Sequence, residues 1–326
     1  MNSSLKKLLS IFALATLLSA CGGTNPDQSG TNDDDANKSG EVTITAGSEI
    51  IPTGGSTTPT PTGSTSTPTV PTIPQEEYAQ HPEIYYRELT NNLSLGENGE
   101  FRKKLTTIIH PGETPKYGGN SGNYILSDVL QDADEDPNNK DNMIFFYTQE
   151  SKPKGGSNSG NYWNREHVWP QNNSNGCWGQ IRAGSDMLHI RPTYESTNSS
   201  RGNLKYGRVN GSYQQYQGHD FGKVGEYFEP TDKVKGDAAR IIMYVWTAYH
   251  EEYGSDLPAI TKSFESIDVM LEWHLNDLPS AYEVHRNEVA AKSKQRNRNP
   301  FVDHPEYACR IWGNTSNKTR QLCNIN

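Results

Sequence analysis

The chain has 326 residues, 32% of them hydrophobic, and a formal net charge of −9. That length suits one large domain or two ordinary ones. The acidic balance argues against a protein that grips nucleic acid through a strongly basic surface, and the apolar run Leu8 to Leu18 is too short to span a bilayer, which takes about 20 residues.

In chain order, Lys6 and Lys7 precede that run, and Leu18-Ser19-Ala20-Cys21 follows it. A positive start, an apolar middle and small residues at a cleavage point are the layout of a signal peptide. Cys21 directly after small residues resembles the lipobox of bacterial lipoproteins. Residues 1–20 are therefore expected to be a lipoprotein signal peptide, with Cys21 lipidated and held at a membrane of the cell envelope. Residues 21–78 are rich in Thr, Pro, Ser and Gly and lack aromatics until Tyr78. Such a segment cannot bury enough apolar surface to offset its chain entropy, and it reads as a flexible tether. Residues 79–326 then form the globular part.

The charge is uneven. Residues 1–80 hold three Lys against eight Asp or Glu, whereas residues 281–326 hold eight Lys or Arg against four Asp or Glu. The C-terminal basic run, with Lys292, Lys294, Arg296 and Arg298, is the expected source of local positive field for an acidic polymer. Few phosphate contacts would give a shallow salt dependence. Asp132, Asp134, Glu135, Asp136 and Asp141 are expected to be a solvated loop, since the Gly and distal Glu of an EF-hand are missing. In an exported chain Cys309 and Cys323 could pair. Cys177 is then left over, free or paired in a way that sequence does not show.

Within the globular part, helices are expected at Ala79 to Leu93, at Glu100 to Ile109 with Phe101, Leu105 and Ile108 on one face, and at Thr193 to Arg201 with Gly202 as its stop. Further helices are expected at Asp237 to Glu252, Phe264 to Leu275 and Ala281 to Lys294. Met143 to Tyr147 suggests a buried strand, and Trp163 to Trp169 a strand or a tight loop. The Gly and Asn clusters at 154–161 and 207–218 suggest loops. The sum is a mixed α+β domain with more helix than strand.

The chemistry concentrates in Asn-Arg-Glu-His-Val-Trp-Pro-Gln, residues 164–171, where Arg165, Glu166 and His167 stand between Trp163 and Trp169. Charged groups are costly to bury without partners. A second polar stretch follows at 186–203, in which Asn198 and Arg201 are three apart and would share a helix face. A hard divalent ion such as magnesium needs only one or two protein oxygens beside substrate phosphate, and Glu166 and Asn198 would supply them. Neutral His167 could take a proton from attacking water. Adjacent side chains on a regular strand point to opposite faces, so one site for Glu166 and His167 would need a bend or bulge.

Arg165-Glu166-His167-Val168-Trp169-Pro170, Asp186-Met187-Leu188-His189 with Arg191-Pro192, and Asn198-Ser199-Ser200-Arg201-Gly202-Asn203 carry a resemblance. So do Gly236-Asp237-Ala238-Ala239-Arg240 and Asn297 to Glu306. In this order, over about 84–313, they resemble the bacterial endonuclease I family, secreted or periplasmic nucleases with a His-Me finger (ββα-metal) site. The resemblance implies a helix-rich α+β domain and a metal-dependent, sequence-non-specific endonuclease acting on DNA and RNA to leave 5′-phosphates. It implies His167 as general base, Glu166 and Asn198 as ligands of Mg2+ (or Ca2+ or Mn2+), and Arg201 as a phosphate contact or a helix brace. Arg165 and His189 are expected to be structural. Some members carry an extra cysteine-bearing segment after the catalytic His with a phosphate-binding arginine. This chain has the short loop Asn172 to Gly184 instead, where Arg182 is the nearest counterpart. Arg296 stands where the family usually has Gly. The expectation is a monomeric, membrane-tethered nuclease, with a catalytically inactive surface lipoprotein that binds nucleic acid as the alternative.

Overall fold

The computed structural model describes residues 73–118, 124–155, 163–209, 213–216 and 219–326. The expected signal peptide and most of the expected tether lie outside the described residues. The chain order is α1 (Pro82–Tyr85), α2 (Glu100–Ile109), α3 (Leu126–Ala133), β1 (Glu135–Asp136), β2 (Asn139–Ile144), β3 (Ser151–Pro153), β4 (Trp163–His167), β5 (Ile190–Tyr194) and α4 (Glu195–Arg201). Then come β6 (Lys205–Tyr206), β7 (Tyr213–Tyr216), β8 (His219–Val224), β9 (Tyr227–Glu229), α5 (Asp232–Ala248), α6 (His250–Tyr253), α7 (Ile267–Asn276), α8 (Ala281–Lys292), α9 (Pro300–Asp303), α10 (Tyr307–Trp312) and α11 (Asn317–Leu322). Three small sheets, β1-β2-β3, β4-β5 and β6-β9-β8-β7, sit around the helices. The result is an α+β domain with more helix than strand, as its sequence suggests.

The core is built on α5. From Gly236 to Ala248 every residue is buried, so the helix is surrounded, with α2, α7 and α9 packed on it. Gly236 makes the α7 contact feasible: a Cβ there would lie 2.1 Å from the Asp277 carbonyl oxygen. The same glycine made the helix look as if it began at Asp237, whereas it begins five residues earlier. In α2 the buried stripe is Phe101, Leu105 and Ile109, with Ile108 only half-buried. The stretch at 79–93 breaks after a single turn of α1, and β7 occupies part of the expected loop 207–218.

Buried charges inside this core are paired. Arg240 reaches Glu283 at 2.5 and 2.8 Å and Asp237 at 3.1 Å. Asp134 is fully buried and held by Arg191 at 3.2 Å and by Arg286. It is thus not part of a solvated acidic loop. Asn297 donates to the Ile109 carbonyl and the Tyr244 hydroxyl, and Arg298 to Asp303 and Glu288. Asn297 and Arg298 therefore brace the core. The C-terminal basic run is not free: Lys292, Lys294, Arg296 and Arg298 meet Glu288, Glu113, Glu76 and Asp303. Each cation there has an acid beside it, so the run supplies much less field than its composition implies.

Cys309 and Cys323 form a disulfide that closes the C-terminal helices. No helix of the described residues is long and apolar enough to cross a membrane.

Candidate active site

The strands β4 and β5 pair antiparallel in unbroken register from Trp163↔Tyr194 to His167↔Ile190, and α4 follows β5 at once. The ladder carries no bulge. Opposite Arg165 stands Pro192, which has no N–H to give, and the Pro192 carbonyl is turned away to accept from the Phe146 amide at 2.8 Å. Arg165 and His167 therefore aim their carbonyls at the edge of β4 that β5 leaves open. Helix α4 lies along that edge. Asn198 Nδ2 donates to the Arg165 carbonyl at 3.3 Å, while the Arg201 guanidinium donates to the His167 carbonyl at 3.2 Å and the Val168 carbonyl at 2.6 Å. Two side chains three apart on a helix thus replace the partner strand.

Glu166 and His167 leave the strand on opposite faces. Glu166 is 1% exposed. Its Oε1 accepts from the Tyr147 hydroxyl at 2.6 Å and lies 3.3 Å from Arg201. Burial raises its pKa, and Arg201 and the Tyr147 bond pull it back. Oε2 has no hydrogen-bond partner among the described residues. On the same face, two residues earlier, Asn164 accepts from Asn198 Nδ2 at 2.8 Å. Both hydrogen bonds of the Asn198 amide use its nitrogen, which fixes the amide orientation. Its oxygen is left without a partner among the described residues. One carboxylate oxygen and one amide oxygen thus remain uncommitted beside the same strand edge. Neither is among the buried unpartnered atoms, and two hard oxygens without a protein donor fit a small divalent cation that keeps most of its water.

His167 faces the other way. Its Nε2 lies 3.0 Å from the Gly184 carbonyl, so this nitrogen carries the proton and Nδ1 the lone pair. The ring stacks on Tyr117 at 5.6 Å and meets His189 edge-on at 5.7 Å. Burial first, then the Arg165 and Arg201 charges, push its pKa down to about 4 against the Gly184 bond. The imidazole is therefore neutral at physiological pH. Arg165 lies over the Tyr117 ring at 4.1 Å and donates to the Tyr117 carbonyl.

The remaining expected residues are held elsewhere. Arg201 is buried, with both terminal nitrogens turned to the carbonyls of 167 and 168 and Nη1 3.3 Å from Glu166, so it braces α4 against β4, while its Nε has no hydrogen-bond partner. Arg182 was the expected phosphate contact, but its guanidinium is occupied: Nε and Nη2 bind Glu252 at 3.0 and 2.9 Å, and Nη2 meets His110 at 3.2 Å. His189 is satisfied at both ring nitrogens, donating to the Ala183 carbonyl at 2.6 Å and accepting from the Trp169 amide at 3.0 Å. It shapes the turn after β4. Three contributors were not singled out from sequence. Asn164 was within reach, since it stands two residues before Glu166 on a strand. Tyr147 and Tyr117 arrive from distant segments and leave no local signal.

Burial also holds His189 down to about 3 and His274 to about 4. Both folded values lie below the unfolded value of about 6.5. Between about pH 6.5 and 4 the unfolded chain takes up these protons and the folded chain does not, so stability falls as pH falls through that window. From pH 6.5 to 5 the loss is about 2 kcal/mol per histidine. Urea unfolding at pH 7 and 5 reads it, and His274→Asn is expected to shrink the difference. An undiminished difference in that variant would rule out the His274 contribution.

Residues 95–306 match the Endonuclease I family. Over 243 residues, 71% of this chain and 78% of the relative, the sequence is 35% identical to an extracellular ribonuclease of Bacillus amyloliquefaciens. Over 208 residues, 59% of this chain and 70% of the relative, it is 38% identical to an extracellular ribonuclease of Bacillus subtilis (strain 168).

Proposed function

Because the chain belongs to the endonuclease I family and is thus a nuclease acting on nucleic acid, we propose that it is a metal-dependent, sequence-non-specific endonuclease with a His-Me finger (ββα-metal) site. It hydrolyses phosphodiester bonds of external RNA and DNA to 5′-phosphate products. The carrying observation lies at the end of β4, where Glu166 Oε2 and Asn198 Oδ1 lack a protein partner and the last residue of the strand, His167, offers a neutral, tautomer-fixed imidazole.

Glu166 Oε2 and Asn198 Oδ1 would hold the cation, with Mg2+ the best fit to two hard oxygens. When bound, the ion stabilises developing charge on the phosphate and the leaving oxygen. His167 Nδ1 accepts the proton of the attacking water, while the Nε2–H bond to Gly184 keeps the ring oriented and stabilises the imidazolium as it forms. Tyr147, unable to ionise in its buried position, stays a donor and fixes the Glu166 carboxylate. Arg201 neutralises Glu166 and ties α4 to β4. The two similar extracellular ribonucleases support RNA as a substrate and action outside the cytoplasm. The protein works as a monomer, and lipidated Cys21 and the tether to residue 78 hold it at the cell envelope.

The test is cleavage of supercoiled plasmid and, separately, of structured RNA by the purified protein with magnesium and with EDTA. Cleavage of both that stops in EDTA is the expected result. Cleavage undiminished by EDTA would remove the metal from the reading. Binding without cleavage would replace it with a surface nucleic-acid-binding protein.

A further inference from the structure

We propose that Arg165 is the residue that receives the substrate phosphodiester, on the His167 face of β4, with Tyr117 as its platform. This rests on the nuclease reading above and gives that reading its missing cation.

The other arginines near the site already lie against a carboxylate. Arg201 lies against Glu166, Arg182 against Glu252, and Arg191 and Arg286 against Asp134. Arg165 makes no ion pair among the described residues. Its position is the functional one: two residues before His167 on the same strand, so both side chains leave the same face. The flat of its guanidinium rests on the Tyr117 ring, and Nη1 is steadied by the Tyr117 carbonyl. Nε and Nη2 have no hydrogen-bond partner among the described residues, and Arg165 is only half-buried. A stacked guanidinium with its edge open is prepared for the two-point fork that phosphate oxygens accept. Tyr117 lies against both Arg165 and His167, so it fixes the offset between the phosphate held by Arg165 and the lone pair of His167 Nδ1.

The test compares the full-length protein with Arg165→Gln and Arg165→Lys. Binding of a short fluorescent single-stranded oligonucleotide is measured in EDTA across a salt series, and kcat/KM in magnesium. One lost phosphate contact lowers the log–log salt slope by about 0.7 on single strands, so the Gln variant should lose that much and the Lys variant should keep it. Loss of a charge-assisted hydrogen bond lowers kcat/KM about 10- to 100-fold in the Gln variant, with part of it recovered by Lys. A salt slope unchanged in Arg165→Gln, whatever its activity, overturns the proposal and leaves Arg165 as a brace for Tyr117. Should the Gln variant fail to fold, the Lys variant decides. Reduced kcat/KM at an unchanged melting temperature supports the fork, and full activity overturns it. A parent protein that cleaves nothing in magnesium would instead sink the nuclease reading, and the salt slope would still report on Arg165.

Discussion

Replacing His167 with alanine should lower the rate of nucleic-acid cleavage by about 10²- to 10⁴-fold, the usual contribution of a positioned general base, and leave a folded protein. The imidazole has one hydrogen bond, to the Gly184 carbonyl, and one stacking partner, Tyr117. Truncation leaves that carbonyl without its donor, at about 1–3 kcal/mol, and opens a gap beside Tyr117. Initial rates of plasmid nicking and of RNA cleavage, read with a thermal melt, separate the two effects. A variant that stays within tenfold of the parent would remove His167 from the proton transfer, and the neutral imidazole would then be only a filler between Tyr117 and His189.

The second large effect is expected at Arg201. Substitution by methionine should cost about 3–5 kcal/mol of stability, because removing one partner of a buried ion pair leaves the other uncompensated. Glu166 is that partner, and the His167 and Val168 carbonyls lose their donors at the same time. Activity should fall as well, since Glu166 would answer the loss by protonating and would no longer offer a charged oxygen. Chemical unfolding measures the first effect. The double variant Arg201→Met with Glu166→Gln should recover part of the stability but none of the activity, as neutralising both partners costs less than stranding one. A double variant no more stable than the single one would mean that the two groups are not energetically coupled.

The helices were the most legible part of the fold. The apolar spacing of α2 and α5 is a local pattern, and local patterns survive in sequence. The start of α5 was hidden because Gly236, unfavourable in a helix taken alone, is required by the approach of Asp277. The strand β7 was hidden for the converse reason: its Tyr and Gln residues lie among glycines and asparagines that signal a loop. For the site, Glu166, His167, Asn198 and Arg201 could all be named, because they sit in two compact segments. Their grouping could not. A bulge in β4 was the expected way to bring Glu166 and His167 together, yet the ladder is regular and α4 works along its edge. Arg182 and the C-terminal basic run misled because a positive charge in sequence says nothing about the carboxylate that folds against it. Glu252 and Arg182 are far apart in the chain, as are Glu76 and Arg296.

The placement of α4 has a consequence for how the protein behaves in a crowd. A strand with one free edge offers backbone carbonyls and amides that another chain can zip onto, which is how sheet proteins begin to aggregate. Here the carbonyls at 165, 167 and 168 are claimed by Asn198 and Arg201. The helix that carries Asn198, the proposed ligand, is also the guard of its strand. Loosening α4 would therefore do two harms together: it would dim the enzyme and expose a sticky seam, so that variants weakened there should come out of solution before they lose their helices.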